Sequence, residues 1–174
     1  MDATNGELLV LASTPTYDPN HFWKFKPGRF REWSVQDLYE PGSTFKPINL
    51  ALALQEGVIQ PADRVHDVGR LQIGGWPINN HDKRANGLID FPTVLQVSSN
   101  VGMVQAMRHL KDDVYWDWMR RLGIDLQPDT DLPGAVAGQL KSKQQFTTQP
   151  IEPATTAFGQ GFSLTPLKLA QLHA

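Results

Sequence analysis

The chain has 174 residues, with 16 Lys and Arg against 18 Asp and Glu, for a net charge of −2. That balance excludes binding to nucleic acid through bulk charge, which needs a clustered cationic surface. A hydrophobic share of 40% permits a packed core, no apolar run nears the roughly 18 residues of a membrane span, and the lack of cysteine excludes disulfides, thiolate catalysis and Cys-ligated zinc.

In chain order, Asn5-Gly6 ahead of residues 7–12 predicts a type I′ turn feeding a strand. Residues 15–20 read as a loop. The stretch 22–33 interleaves aromatic side chains with Lys24, Lys26, Arg29 and Arg31. It is either a contact for an anionic partner or a surface loop whose long side chains snorkel. Ser34 is the expected N-cap of a short helix ending before Pro41. A second helix is expected over 43–56, with Gly57 at its C′ position. Pro47 fixes its start, because proline is tolerated only in the first turn. Apolar positions 45, 48, 50, 51, 52 and 54 lie on nearly every side of it, so it belongs in the middle of the core.

Residues 70–73 and 76–79 around Gly74-Gly75 predict a small hairpin. Asp90 caps a helical stretch with Pro92 in its first turn. Apolar residues at 94, 97, 101, 104, 107 and 110 then mark one buried stripe. Asp112 and Asp113 open a further helix with Val114, Trp118 and Leu122 on one face, stopped by Gly123. Residues 124–153 are loop-like. Thr165 and Pro166 form an N-cap and N1 pair for a last helix. The length predicts one domain, mixed α and β with helices dominating. Both ends read as cut, as expected for a piece of a larger domain.

Chemistry concentrates in two short segments. In Glu40-Pro41-Gly42-Ser43-Thr44-Phe45-Lys46-Pro47, Ser43 and Lys46 lie three apart at a helix head, on one face and one turn apart. A serine hydroxyl is a weak nucleophile until a base takes its proton. A lysine serves as that base only when apolar surroundings pull its pKa down; Phe45, Ile48 and Leu50 are the expected suppliers. The helix start adds unpaired N–H groups for a developing oxyanion. Taken alone, this spacing is equally that of an N-cap serine and a solvated lysine. The second segment, Ser98-Ser99-Asn100-Val101-Gly102, offers a hydroxyl and an amide two residues apart. Alternatively, it is a helix break with local caps.

Together, Ser43-Thr44-Phe45-Lys46 and Ser98-Ser99-Asn100 resemble the S-x-x-K and S-x-N motifs of penicillin-binding proteins and serine β-lactamases. The resemblance covers nearly the whole chain. MDATNGELLVLASTPTYDPN is similar to the hairpin opening the transpeptidase domain, YEPGSTFKP to the nucleophile segment, LQVSSNVGM to the second motif, and FGQGFSLTPLKLAQLHA to the segment before the third. The wording is most similar to class B enzymes of the cell-division type. The implied fold is α+β, the penicillin-binding protein and β-lactamase-like sandwich, with mostly its helical part present in residues 1–174. The implied activity is peptidoglycan D,D-transpeptidation through an acyl-serine that β-lactams also form.

By the same resemblance, Ser43 attacks the D-Ala-D-Ala carbonyl and Lys46 takes its proton. Ser98 relays a proton to the leaving D-alanine. Asn100 orients Lys46 and the substrate amide, and Ser99 is the unconstrained middle residue. The Ser43 N–H forms half of the oxyanion hole. Implied partners are peptidoglycan stem peptides, β-lactams, a membrane glycosyltransferase and other division proteins, at the outer face of the cytoplasmic membrane; no cofactor and no nucleic acid are implied. The third motif, Lys-Thr-Gly or Lys-Ser-Gly, is absent: Lys111, Lys141, Lys143 and Lys168 all lack it. The piece is therefore expected to be inactive and poorly folded alone.

Two alternatives stand beside this. The first is a serine β-lactamase or β-lactam sensor: class A β-lactamases need a glutamate for deacylation within a few dozen residues of S-x-N, and none occurs between Glu56 and Glu152. A non-catalytic scaffold of a division complex is disfavoured by the intact Ser43, Lys46, Ser98 and Asn100. The histidines at 21, 66, 81, 109 and 173 show no ligand spacing, and His81-Asp82 reads as a turn pair.

Overall fold

A computed structural model describes residues 1–174. Eight short helices and two separate two-stranded ribbons surround one core. The helices are α1 (Trp33–Gln36), α2 (Lys46–Gln55), α3 (Phe91–Gln96), α4 (Asn100–Met107), α5 (Asp112–Arg121), α6 (Lys143–Thr148), α7 (Ile151–Thr156) and α8 (Pro166–His173). The strands are β1 (Arg64–Asp67), β2 (Arg70–Ile73), β3 (Trp76–Asn79) and β4 (Gly87–Asp90). β2 and β3 form the expected hairpin, with Ile73 opposite Trp76. β1 pairs antiparallel with β4, Arg64 opposite Asp90 and Asp67 opposite Gly87. No helix is long and apolar enough to cross a membrane.

The core is built around α4, which touches α2, α3, α7, β1 and β3. Val101, Gly102, Met103, Val104, Ala106 and Met107 of α4 are all buried. Gly102 has a packing reason: a side chain there would meet Val94 of α3 at 2.6 Å. Phe45 is fully buried and meets Phe162 edge-on at 4.8 Å between ring centres, a contact worth about 0.5–1.5 kcal/mol beyond its area. Tyr115 and Phe146 make a similar pair, joining α5 to α6.

Several expectations are corrected. Residues 7–12 form no strand: no strand lies alongside to pair with them, and Leu9 and Val10 stay exposed. Ser34 is not a cap. It lies inside α1, and the Glu32 carboxylate caps by accepting its N–H. The stretch 22–33 does lie on the surface, as one of its two readings has it: it holds the end of one 3₁₀ turn and the whole of a second with no buried residue, and Phe22, Trp23, Phe30 and Trp33 are exposed. α2 is less enclosed than its composition implies: Pro47, Ala51 and Leu54 lie on an open strip. On α5, Tyr115 and Met119 are the fully buried residues, while Val114, Trp118 and Leu122 pack at the core edge. Residues 124–153 are not all loop, since they hold α6 and the start of α7. The stripe from 94 to 110 is not continuous either. It breaks between α3 and α4, where Val97 is exposed and Ser98 adopts a left-handed φ of 53°.

Candidate active site

Ser43 sits in a 3₁₀ turn, Gly42–Phe45, that runs directly into α2 at Lys46. The two residues therefore do not share a regular α-helix. In the first turn of such a helix the N–H of Ser43 has no intrahelical acceptor. Gly42 enters the turn at φ +58° and donates its N–H to the Gly159 carbonyl at 2.8 Å. Gly159 is itself at φ +83°, and a Cβ on it would lie 1.9 Å from the Gly42 carbonyl oxygen. Only glycine allows this backbone approach. Nearby, the Gly161 N–H donates to Glu40 Oε1 at 2.9 Å, Tyr39 bridges Leu164, and the His173 ring hydrogen-bonds the Thr44 carbonyl at 2.9 Å. The turn that carries Ser43 is thus tied to residues 159–173 at four points.

Lys46 is 1% exposed. Its ammonium donates to the Ser98 carbonyl at 2.6 Å, Ser98 Oγ at 3.0 Å and Asn100 Oδ1 at 2.8 Å. Burial pulls its pKa from 10.5 down to about 8; desolvation disfavours the charged form. Ser98 Oγ lies 3.1 Å from Ser43 Oγ. No hydrogen bond joins Ser43 to Lys46 directly: the Ser98 hydroxyl bridges them. The structure therefore brings Ser43, Lys46, Ser98 and Asn100 together, with Ser98 between the alcohol and the amine. The left-handed backbone at Ser98, costing about 1–2 kcal/mol, coincides with the turn that lets its carbonyl and hydroxyl both meet Lys46.

Ser43, Ser98, Asn100, Gly42, His81, Phe158 and Gln160 line an open cleft of about 190 Å³. A second hollow of about 340 Å³ shares Asn100, Phe158 and Gln160 and continues past Trp76, Asn79 and Thr155. His81 is an exposed turn residue, as the sequence suggests, yet it lines the same cleft as Ser43. Asn100 is fixed at both ends of its amide, since its Nδ2 donates to the Asn79 carbonyl at 2.9 Å.

Ser99 is the clearest correction. It is 1% exposed and caps α4 by accepting the Gly102 N–H at 2.8 Å, so it is not an unconstrained middle residue. The sequence holds no local signal for Asn79, Asn80 or Asp67, which the two ribbons bring in from between 19 and 32 residues upstream of Ser99. Phe158 and Gln160 fall within a segment quoted above for resemblance but carry no recognisable chemistry of their own.

The model of the penicillin binding protein transpeptidase domain matches residues 1–174. The chain is 42% identical to the peptidoglycan D,D-transpeptidase FtsI homolog of Mesostigma viride, over 100% of this chain and 31% of that protein. A peptidoglycan glycosyltransferase crystal structure from Burkholderia ambifaria superposes with a TM-score of 0.84 at 29% identity, over 99% of this chain and 49% of that one. The transpeptidase domain of Burkholderia pseudomallei penicillin-binding protein 3 gives 0.75 at 30% identity, over 82% and 42%. The chain belongs to the penicillin-binding protein transpeptidase family. Its relatives place it with the class B, FtsI-like domains, and the α+β fold is theirs. It spans less than a third of the length of the curated FtsI homologues that it matches.

Proposed function

We propose that these residues carry the acylating half of a peptidoglycan D,D-transpeptidase acting at the cell envelope. The observation that supports it is the hydrogen-bonded file from Ser43 Oγ through Ser98 Oγ to the buried Lys46 Nζ. When Lys46 is neutral, its lone pair accepts the Ser98 proton while Ser98 accepts that of Ser43. The Ser43 oxygen then bonds the penultimate D-alanine carbonyl of a stem peptide, and the developing oxyanion meets the Ser43 N–H. Return of the proton through Ser98 to the departing D-alanine nitrogen breaks the C–N bond and leaves an acyl-serine. The amine of a second stem peptide then attacks that ester. A positioned base of this kind contributes about 10²–10⁴ in rate. Asn100 holds Lys46 in place through Oδ1. A β-lactam carbonyl enters the same ester. The family's Lys-Thr-Gly or Lys-Ser-Gly motif, which would supply the carboxylate-binding strand and second oxyanion donor, is not among these residues.

Deacylation by a class A-type glutamate finds no support. Glu152, the first glutamate after Asn100, is buried, takes the Gln145 amide at 2.8 Å and does not line the cleft. The test is covalent labelling of the intact protein by a fluorescent penicillin, with the adduct located by peptide mass spectrometry. The expected adduct is on Ser43 and is absent from Ser43→Ala, whose melting temperature stays within a few degrees. A label retained in Ser43→Ala overturns the assignment.

A further inference from the structure

Beneath the second motif lies a carboxylate with no cation beside it. Asp67, at the end of β1, is fully buried and in none of the ion pairs. It is satisfied by neutral donors alone: Ser99 Oγ at 2.7 Å, Asn86 Nδ2 at 2.6 Å, Asn80 Nδ2 at 2.9 Å and the Gly69 N–H at 2.8 Å. Burial pushes its carboxyl up, and these hydrogen bonds outweigh that and leave it below the ordinary value. Asn80 completes the web. Its Oδ1 accepts the Val101 N–H at 3.1 Å and lies 3.2 Å from Ser99 Oγ. A hydroxyl has one proton, and the shorter contact assigns that of Ser99 to Asp67.

Ser99 stands between Ser98 and Asn100, the two residues that hold Lys46. Its side chain ties this strained turn to β1 on one side and caps α4 on the other. We propose that Asp67 is a positioning residue: through Ser99, and with Asn80 and Asn86, it clamps the left-handed turn that aims Ser98 and Asn100 at Lys46. Only a carboxylate accepts from four directions there, whereas an amide in its place turns one oxygen into a donor facing other donors. A clamp outside direct contact acts on rate through alignment, and a misplacement of about 1 Å costs on the order of 10²-fold.

The role as a clamp for acylation rests on the transpeptidase assignment, so the experiment has two arms on the intact protein. In the first, a fluorescent penicillin is used at saturating concentration and the rate per labelled site is measured. Asp67→Asn lowers that rate about 10–100-fold without changing the reversible binding constant or the number of labelled sites. Fewer labelled sites at an unchanged rate per site would mean a folding role only and overturn the proposal. In the second arm, the Lys46 side chain is titrated by lysine-selective ¹³C NMR, assigned by its loss in Lys46→Arg. Loosening the turn withdraws acceptors from the ammonium, so Asp67→Asn moves the midpoint down; an unmoved midpoint overturns the clamp. A wild-type protein that takes no penicillin refutes the transpeptidase assignment alone, and the NMR arm still decides the clamp.

Discussion

In the proposed mechanism acylation requires Lys46 as the neutral amine, and its pKa of about 8 sets how often that form is present. With that value, about 9% is neutral at pH 7, half at pH 8 and about 91% at pH 9. The amine loses its proton as pH rises, so the acylation rate rises with it, roughly tenfold from pH 7 to pH 9, and then levels. An unburied lysine at 10.5 would give a profile still climbing steeply above pH 9. The assay is stopped-flow acylation of the intact protein by a fluorescent penicillin stable over this range. The rate constant at saturation is separated from the binding constant, with Ser43→Ala as the blank. His81 borders the cleft, so the series is repeated in His81→Gln. A rate flat across pH 7–9 in both proteins refutes Lys46 as the base. The shift also has a stability counterpart. The unfolded chain binds more protons than the folded one between about pH 8 and 10.5, so stability rises with pH in that window. The cost of the buried ammonium at lower pH is about 3 kcal/mol. A Lys46→Met protein lacks this slope in urea unfolding.

Gly159→Ala places a Cβ on the Gly42 carbonyl and forces a left-handed alanine. It should cost about 2–5 kcal/mol and abolish labelling, and wild-type labelling would contradict the backbone contact. Tyr115→Phe removes the donor to Asn49 Oδ1 at 2.9 Å and leaves a buried acceptor unpaired. It should destabilise by about 1–3 kcal/mol in urea unfolding, with a rate of acylation per labelled site unchanged at neutral pH. The 174 residues expressed alone should label at least about 10²-fold more slowly than the intact protein, from the missing oxyanion donor; equal rates would show that no further strand is needed.

Local chemistry made part of this molecule legible. Asp90 and Thr165 cap their helices through their own side chains, Gly57 ends α2 at φ +66°, and the Gly74-Gly75 hairpin has the expected limits. Each depends on residues within a turn of one another. What stayed hidden depends on distance. β1 and β4 are four-residue strands that acquire meaning only by pairing across the intervening hairpin. α6 buries a single side chain, Phe146, and so has no stripe. The stripe from 94 to 110 hides its own break, because apolar spacing does not register the left-handed residue at 98. At the site, Ser43, Lys46, Ser98 and Asn100 were legible as motifs. Their order was not: the bridging place of Ser98 follows from the break, and the buried web at Ser99 from two ribbons folding against α4.

The four ties on the turn that carries Ser43 have a consequence for the order in which this site is assembled. Their partners lie far downstream: Gly161 is 121 residues from Glu40, and His173 is 129 from Thr44. A nascent chain leaving the ribosome exposes Ser43 long before those partners are synthesised, and until then its contact with Ser98 lacks these four supports. Fastening of the turn that carries Ser43 is thus a late step of maturation.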